Sequence, residues 1–262
     1  MQPAADPAER TYEAFAPFYD RFTAGSDYEA WTTHVEELLL AHAPRGRRLL
    51  DAACGTGKSL LPFLERGYQV VGCDISAAML ELARAKAPHV ELHRADLRTL
   101  PALDRFDVVT CFDDSLNYLR SASDLGAAFE SVTRNLARGG LFVFDLNTLL
   151  AYRTTFASDQ VSGDPELRFT WRGRCSSKAP PGCLAEASIE VFRGGGAGPC
   201  ERVETRHVQR HHPSEHVLEL LDRAGLECLA LRGVRDDGSL AHEPDEATYL
   251  KSLYVTRLAE GR

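Results

Sequence analysis

The chain has 262 residues, of which 44% are apolar and 26% charged, an ordinary composition for a folded protein with a substantial core. Its formal net charge of −8 disfavours nucleic acid as a partner. No apolar run approaches the roughly 18–20 residues that span a bilayer, and we expect neither a signal peptide nor a membrane partner. The seven cysteines are an odd number, which disfavours a disulfide framework, and no CxxC pair exists, which disfavours a structural zinc site. We therefore expect a cytoplasmic protein.

Two amphipathic helices are predicted in residues 1–44. Aromatic residues recur at helical spacing from Tyr12 to Phe22, and Pro17 is expected to kink or divide this segment. A second helix is predicted from Tyr28 to Ala43, with Trp31 on its apolar face. These helices form an N-terminal cap.

Strands alternate with helices over the next hundred residues. Strands are predicted at 48–53, 69–73, 90–94, 106–112 and 141–146. Helices are predicted at 58–65, at 76–86 and after Ser123, the last one ending before Gly139 and Gly140. This alternation is typical of a parallel sheet with helices on both faces.

Residues 149–212 break the alternation. Strands at 168–172, 185–192 and 203–211, with a glycine-rich loop at 194–199, predict an antiparallel insertion. A helix from Pro213 to Gly225 and strands at 227–234 and 253–258 then complete the main sheet. The predicted fold is α/β, a doubly wound, mostly parallel seven-stranded sheet built from residues 45–148 and 213–262, with residues 149–212 as an antiparallel β lid.

Carboxylates and amides follow the predicted parallel strands. In chain order they are Asp51, Asp74, Asp96, Asp113 with Asp114, and Asp145 with Asn147. Ligands of open parallel sheets bind at this edge. An acidic rim favours a ligand with hydroxyls, amines or a positive charge over one that carries several phosphates.

The glycine turn at residues 55–57 allows several interpretations. A dinucleotide fingerprint would need a third glycine where Leu60 stands. A phosphate loop fits at Lys58 and Ser59, but its first glycine is replaced by Ala52. Residues 108–113 resemble a Walker B strand, so an ATPase remains an alternative. A tight turn without a ligand is another.

A further interpretation rests on three motifs together: residues 51–57, Asp74-Ile75 with Met79, and Asp96-Leu97. In order and spacing they resemble the class I S-adenosylmethionine-dependent methyltransferases over roughly residues 45–150. The resemblance implies S-adenosylmethionine as cofactor and S-adenosylhomocysteine as product. At Ala53 many members have glycine, and we expect the small alanine to be tolerated. The spacing of aromatic residues in the cap also resembles the small-molecule members, whose N-terminal helices tend to close over the cofactor.

The resemblance also implies roles for individual residues. Gly55 and Gly57 would let the backbone approach the methionine part of the cofactor, and Asp51 would orient its ammonium directly or through water. Asp74 would bind the ribose hydroxyls, and Asp96 would accept a hydrogen bond from the adenine. The full implied set is Tyr12, Tyr19, Trp31, Asp51, Ala53, Cys54, Gly55, Gly57, Asp74, Ile75, Met79, Asp96, Leu97, Phe112 and Asp113.

The acceptor is expected to be a small molecule. The Asn/Asp-Pro-Pro-Tyr/Phe motif of DNA-amine methyltransferases is absent after the fourth strand. The acidic rim favours an amine nitrogen, as in an amino sugar or an amino acid. The candidate catalytic residues are Asp113, Asp114, Tyr118 and His207, and the candidate acceptor-binding residues are Asn117, Asn147, Arg206 and Arg210.

The strand at 203–211 is unusually polar. Alternation puts Thr205, His207, Gln209 and His211 on one face, and Arg206 and Arg210 on the other. His207 could act as a base, and the arginines could clamp an acceptor carboxylate or phosphate. A solvated edge strand is the alternative. A metal site formed with His211 and His216 is not favoured, because nothing brings these side chains together.

Other functions remain open. An O- or C-methyltransferase with His207 as base is the nearest alternative. The same fold could instead cyclise the cofactor or bind it without catalysis. The inserted hairpins could also serve as a homodimer contact.

Overall fold

In a computed structural model that describes residues 6–194 and 201–259, the N-terminal segment forms α1 (Pro7–Phe22) and α2 (Tyr28–Ala41). Asp6 caps α1 by accepting a 2.8 Å hydrogen bond from the backbone N–H of Ala8. Pro17 lies inside α1 without dividing it. The helix continues through Pro17, and Phe15 and Phe18 on the same helix are buried against neighbouring elements.

The remaining α-helices belong to the main domain and the start of the insertion. They are α3 (Leu61–Glu65), α4 (Ala77–Lys86), α5 (Ala122–Thr133), α6 (Leu149–Arg153) and α7 (Ser214–Ala224). Ser76 caps α4 as predicted. Ser121, rather than Ser123, caps α5, because its hydroxyl accepts from the Asp124 backbone N–H at 3.0 Å. Among the helices in the described ranges, none combines the length and hydropathy that a membrane crossing requires.

The strands in chain order are β1 (Arg48–Ala52), β2 (Gln69–Asp74), β3 (Glu91–Arg94), β4 (Phe106–Cys111), β5 (Leu136–Asn147), β6 (Asp159–Gly163), β7 (Leu167–Gly173), β8 (Leu184–Arg193), β9 (Glu201–Arg210), β10 (Leu226–Val234), β11 (Leu240–Ala241) and β12 (Lys251–Leu258). Within the described residues, eight of them form one sheet in the order β11-β10-β12-β5-β4-β1-β2-β3. Strands β1 to β5 run parallel, and β12, β10 and β11 continue the sheet in antiparallel pairs. The predicted doubly wound sheet is confirmed, with the two-residue β11 added to the seven predicted strands.

Apolar side chains cover both faces of this sheet. Along β5, Phe142 and Phe144 belong to one buried cluster, whereas Leu141 and Val143 belong to the other. This alternation places a core on each side, as a sheet covered by helices requires. β5 begins at Leu136 and contains Gly139 and Gly140, so the prediction that these glycines end a helix is wrong.

The insertion forms a second sheet in the order β6-β7-β8-β9. The edge strand β6 was not predicted, because all five of its residues are exposed and lack an apolar alternation. Residues 195–199 of the predicted glycine-rich loop lie outside the described residues. The inner face of this sheet packs against α1, where Phe15 and Phe18 join Phe169, Ile189 and Val191 in one cluster. The cap helix and the insertion therefore enclose the space above the strand ends together.

Candidate active site

A cavity of about 960 Å³, here called the strand-end cavity, lies at the carboxyl ends of β1 to β4. Its floor is the turn after β1, and Asp74, Asp96 and Asp113 stand around it. Residues of α1 and α2, including Tyr12 and Tyr28, cover it.

The turn after β1 needs a left-handed backbone at several positions. Gly55 has φ 53° and Gly57 has φ 84°. A Cβ at Gly57 would lie 3.2 Å from Cβ of Ala83, so this glycine packs the turn on α4 rather than lining the cavity. Ala53 also has a positive φ of 62°, which costs a residue with a Cβ about 1–2 kcal/mol. An alanine in place of glycine at this position therefore strains the backbone, whereas the size of its side chain is not the difficulty.

Asp74 ends β2 with its carboxylate facing the turn. Its Oδ2 accepts from the Gly55 backbone N–H at 2.9 Å, and its Oδ1 accepts from the Ser76 N–H at 2.8 Å. Burial raises the pKa of Asp74 to about 6, although the backbone bonds favour the charged form. Each oxygen keeps a further lone pair, so this fixed carboxylate suits a pair of vicinal hydroxyls such as those of a ribose.

Asp51 lies beneath the turn and outside the cavity lining. Its carboxylate accepts hydrogen bonds from Ser59 Oγ at 2.6 Å and Thr110 Oγ1 at 2.9 Å. Burial raises its pKa to about 6. These bonds tie β1, the turn and β4 together, and because Asp51 does not line the cavity, a direct contact with a ligand ammonium is not supported.

Asp96 follows β3 and lies at the rim of the cavity. Its carboxylate accepts from Arg98 Nε at 3.0 Å, and Arg98 also contacts Asp6 at the start of α1 at 2.7 Å. Burial would raise the pKa of Asp96, but the Arg98 bonds outweigh it and lower the pKa. Arg98 therefore bridges Asp96 and Asp6, and it fixes the beginning of α1 at the rim of the cavity. Ile75 and Met79 also line the cavity, adding an apolar surface for a flat ring.

Most of the predicted cofactor residues line the strand-end cavity. Those that do are Tyr12, Tyr19, Ala53, Cys54, Gly55, Asp74, Ile75, Met79, Asp96, Leu97, Phe112 and Asp113. Trp31 lies behind the lining, with its ring centroid 5.6 Å from that of Phe112 in an edge contact. Asp51 and Gly57 also lie behind it. Tyr28 and Lys58, which were not predicted as contacts, line the cavity, and Lys58 Nζ lies 4.8 Å from the Tyr28 ring centroid.

A second cavity of about 920 Å³, here called the lid cavity, lies between α1, the end of β5 and the inner face of the second sheet. Aromatic side chains form much of its wall. Four residues line both cavities, namely Tyr12, Tyr19, Asp113 and Tyr118. Two ligands, one in each cavity, would therefore meet beside Asp113.

Three carboxylates share one ammonium at this junction. Lys251 Nζ lies 2.8 Å from Asp145 Oδ2, 3.2 Å from Asp114 Oδ1 and 3.7 Å from Asp113 Oδ1. Burial raises the pKa of Asp114 and of Asp145, and Lys251 opposes both shifts. The three carboxylates raise the pKa of Lys251 well above its ordinary value despite burial. This acid cluster retains excess negative charge, so it favours a positively charged or hydrogen-bond-donating ligand group.

His207 lies in the wall of the lid cavity with both ring nitrogens bonded. Its Nδ1 is 2.7 Å from the Tyr118 hydroxyl, and its Nε2 is 3.0 Å from the Thr205 hydroxyl. Burial lowers the pKa of His207 to about 4, so the ring is neutral at pH 7. The Tyr12 hydroxyl donates to that of Tyr118 at 3.0 Å. This arrangement makes His207 a support for Tyr118 rather than a free base.

The predicted faces of β9 are correct, but the arginine clamp is not placed at either cavity. Arg206 is exposed on the outer face and pairs with Glu186. Arg210 donates to the backbone carbonyls of Gly182 at 2.8 Å and Arg120 at 2.5 Å. Arg206 therefore links two strands of the insertion, and Arg210 ties the insertion to the main domain.

The two predicted asparagines differ in position. Asn117 is buried, and its amide links the Arg210 carbonyl at 2.9 Å to the Asn147 backbone N–H at 3.0 Å. Asn147 lines the lid cavity and donates to Gln209 Oε1 at 3.0 Å. Asn117 is thus part of the supporting structure, whereas Asn147 lies where an acceptor would bind.

The remaining histidines do not gather around a common point. His211 bonds to Glu246 at 3.1 Å and accepts from the Gly182 backbone N–H at 3.0 Å. Across residues 6–194 and 201–259, no cluster of three or more His, Cys, Asp or Glu side chains is placed to hold a metal ion.

Comparisons with known proteins agree with this geometry. A methyltransferase domain family matches residues 49–140. A putative methyltransferase of Geobacillus sp. (strain WCH70) is 31% identical over 228 residues, which cover 84% of this chain and 91% of the relative. The dTDP-3-amino-3,4,6-trideoxy-alpha-D-glucopyranose N,N-dimethyltransferase of Streptomyces venezuelae is 34% identical over 151 residues, 57% of this chain and 62% of that protein.

A solved structure extends the match to nearly the whole chain. The S-adenosylmethionine-dependent methyltransferase from Clostridium acetobutylicum ATCC 824 has a TM-score of 0.79 and 25% identity, covering 95% of this chain and 99% of that one. Because the chain is similar to a methyltransferase over its full length, and not only at the glycine turn, the interpretations of that turn as a dinucleotide fingerprint or a phosphate loop are excluded. The chain belongs to the class I S-adenosylmethionine-dependent methyltransferases and is an enzyme that uses S-adenosylmethionine as its cofactor.

Proposed function

We propose that this enzyme transfers the methyl group to the nitrogen of a small-molecule amine. The observation that carries the proposal is the acid cluster at the junction of the two cavities, where Asp113 and Asp114 outnumber their shared cation Lys251. Carboxylates at such a point can accept N–H hydrogen bonds and stabilise a nitrogen that gains positive charge. The Streptomyces venezuelae relative, whose name describes an amine methyltransferase, supports the choice of nitrogen.

The residues of the strand-end cavity fit the cofactor. The buried Asp74 carboxylate, held by two backbone N–H groups, suits the ribose hydroxyls, and Ile75 offers an apolar surface for the adenine. S-adenosylmethionine supplies a methyl carbon bound to a positively charged sulfur, which makes that carbon an electrophile. The protein then has to align the acceptor and exclude water.

The acid cluster would act on the acceptor. An amine that arrives as its free base would accept the methyl group: the S–C electron pair would stay on the sulfur, which becomes neutral, and the nitrogen would take on the positive charge. Asp113 and Asp114 would orient the N–H groups before the transfer and offset that charge during it. Lys251 limits the repulsion among the carboxylates. Tyr12, Tyr19 and Tyr28 would keep water from the junction.

The alternative with His207 as a base for an O- or C-acceptor is less well supported. Both nitrogens of His207 are bonded, and its pKa of about 4 makes it a weak base at pH 7. A methyl transfer to an amine requires no such base once the acceptor is deprotonated.

The test is product formation with amines, phenols and carboxylic acids at matched concentrations. Formation of S-adenosylhomocysteine together with a methylated amine supports the proposal, and methylation confined to phenols or carboxylic acids contradicts it. We expect Asp113→Asn to lower kcat about 10- to 100-fold, the effect of losing about 1.5–3 kcal/mol of hydrogen bonding to a charged group.

Calorimetry separates catalysis from cofactor binding. Asp113→Asn should bind S-adenosylmethionine within a few fold of the wild type, whereas Asp74→Asn should lose at least tenfold in affinity. Asp236→Asn, in an exposed turn after β10, is the matched control for both measurements. Loss of cofactor binding in Asp113→Asn would assign that residue to the cofactor alone and remove the basis of the proposal.

A further inference from the structure

We propose that the acceptor is an amine with an apolar, aromatic body and without a phosphate group. This inference rests on the proposed function and concerns the part of the acceptor that does not react. It follows from three features of the lid cavity: its wall, the bonding of its polar groups and its charge.

Aromatic side chains form much of the wall of the lid cavity. Phe15 and Phe22 of α1 stand edge to face with their centroids 5.3 Å apart, and Phe156 and Trp171 stand edge to face at 5.0 Å. The Trp171 indole N–H donates to the Thr155 carbonyl at 2.9 Å. Because this bond uses the polar atom of the indole, the ring offers the cavity an apolar surface. Such pairs of rings bind another aromatic group well.

Several polar side chains in this wall already bond to one another. The Gln209 amide accepts from Asn147 at 3.0 Å and donates to Asp114. His207 is bonded at both nitrogens by Tyr118 and Thr205. A sugar ring would bring several hydroxyls into this space. These hydroxyls would lose hydrogen bonds to water and find few free partners in the protein, which costs binding free energy.

The charge of the cavity opposes a phosphate. Among the described residues that line it, the charged ones are Asp113, Asp114 and Lys251. Lys251 contacts both of these acids and also Asp145, so its charge is already neutralised. Arg206 and Arg210, which could have bound a phosphate, lie elsewhere. A nucleotide-linked sugar, the substrate class that the Streptomyces venezuelae relative's name describes, therefore does not suit this cavity.

The polarity of the cavity sets the orientation of the acceptor. Its amine would lie toward Asp113 and Asp114 at the junction, and its ring would lie among Phe22, Phe156 and Trp171. An arylalkylamine has this separation of charge and ring, whereas an amino sugar carries polar groups all round.

The experiment compares amines that share a primary nitrogen. The probes are 2-phenylethylamine and tryptamine, with propylamine, glucosamine and a dTDP-linked amino sugar as contrasts, and methylated products are measured by mass spectrometry. We expect kcat/KM for the arylalkylamines to exceed that for both sugars at least tenfold. Preference for either amino sugar would overturn this inference and leave the proposed function standing. If phenols are methylated and no amine is, both fail.

Variants of the wall test the same inference through KM. Trp171→Ala should raise KM for tryptamine about tenfold and raise KM for propylamine several-fold less, since a buried ring contact is worth about a factor of ten in affinity. Trp171→Phe should restore most of the loss. Phe22→Ala on α1 should act in the same direction and serves if Trp171→Ala does not fold. Equal effects on tryptamine and propylamine would contradict a role for these rings in acceptor recognition.

Discussion

The Tyr28 hydroxyl of α2 donates a 2.7 Å hydrogen bond to Oδ2 of Asp113, the residue at which the two cavities meet. Asp113 has a left-handed backbone with φ 57°, and its side chain also lies 3.7 Å from Lys251 Nζ. Burial raises the pKa of Tyr28 far above neutrality, so the phenol remains a donor. The cap helix thus helps to orient the carboxylate on which the proposed chemistry depends.

Replacing Tyr28 by Phe should lower kcat more than it weakens cofactor binding. Loss of a hydrogen bond to a charged group costs about 1.5–3 kcal/mol, so we expect a reduction in kcat of about 10- to 100-fold. Steady-state kinetics and calorimetric titration of S-adenosylmethionine measure the two effects. Tyr68→Phe, in a buried cluster away from both cavities, is the matched control. An unchanged kcat would mean that Asp113 needs no help from α2.

The strand-end cavity could be predicted because its residues follow from a local rule. Parallel strands present their carboxyl ends at one edge, so Asp74, Asp96 and Asp113 had to lie near one another once the strands were identified. The position of Gly57 in the turn was also predictable, but its role was not. Its contact with Ala83 depends on how α4 packs on the turn.

The acid cluster could not be predicted in full, because its cation comes from far along the chain. Lys251 lies at the start of β12, which pairs antiparallel with β5 and places Lys251 opposite Asn147. No spacing in the sequence reveals that register.

The contacts of β9 could also be predicted only in part. Its alternation separated His207 from Arg206 correctly, but the partners of the arginines, such as Glu186 on β8, depend on tertiary pairing.

Removing the cation of the acid cluster should strongly destabilise the protein. In Lys251→Met the nearly fully buried Asp145 loses its cationic partner, and breaking a buried pair costs about 3–5 kcal/mol. Without Lys251 the native pKa values of Asp114 and Asp145 rise further, so their contribution to stability falls as pH rises. The loss in the free energy of unfolding should be larger at alkaline than at acidic pH.

Urea unfolding at several pH values measures this loss, with Lys178→Met on an exposed loop as control. A loss under about 1 kcal/mol, the ordinary value for surface pairs, would contradict the role of Lys251 as counter-ion.

Relieving the strain at Ala53 should stabilise the fold. Ala53→Gly removes a Cβ from a backbone with φ 62°, a gain of about 1–2 kcal/mol that the entropy of glycine partly offsets. We expect the free energy of unfolding to rise by about 0.5–1 kcal/mol. Gly67→Ala tests the reverse change at a site with φ 79° and open space around its Cα. The free energy of unfolding of Gly67→Ala should fall by a similar amount. If Ala53→Gly and Gly67→Ala destabilise the protein equally, the backbone at Ala53 is not strained.

Acid should weaken the fold through His207. Burial lowers its native pKa to about 4, whereas the unfolded chain has a value of about 6.5. Between these values the unfolded state binds the proton and the native state does not, so the free energy of unfolding falls as pH decreases through this window. The shift corresponds to about 3 kcal/mol for this residue. Asp51 and Asp74 act in the opposite direction, because burial raises their pKa values to about 6.

Comparison of His207→Asn with the wild type at each pH cancels the contribution of those two carboxyl groups. Near neutral pH the variant should be less stable, because it loses part of the bonding to Tyr118 and Thr205. As the pH falls toward about 4 the difference should shrink or reverse, since an asparagine side chain does not titrate and has no proton to exclude. Urea unfolding across this range measures the difference, with the exposed His89→Asn as control. A stability difference that stays constant with pH would mean that His207 accepts a proton in the folded protein as readily as in the unfolded chain.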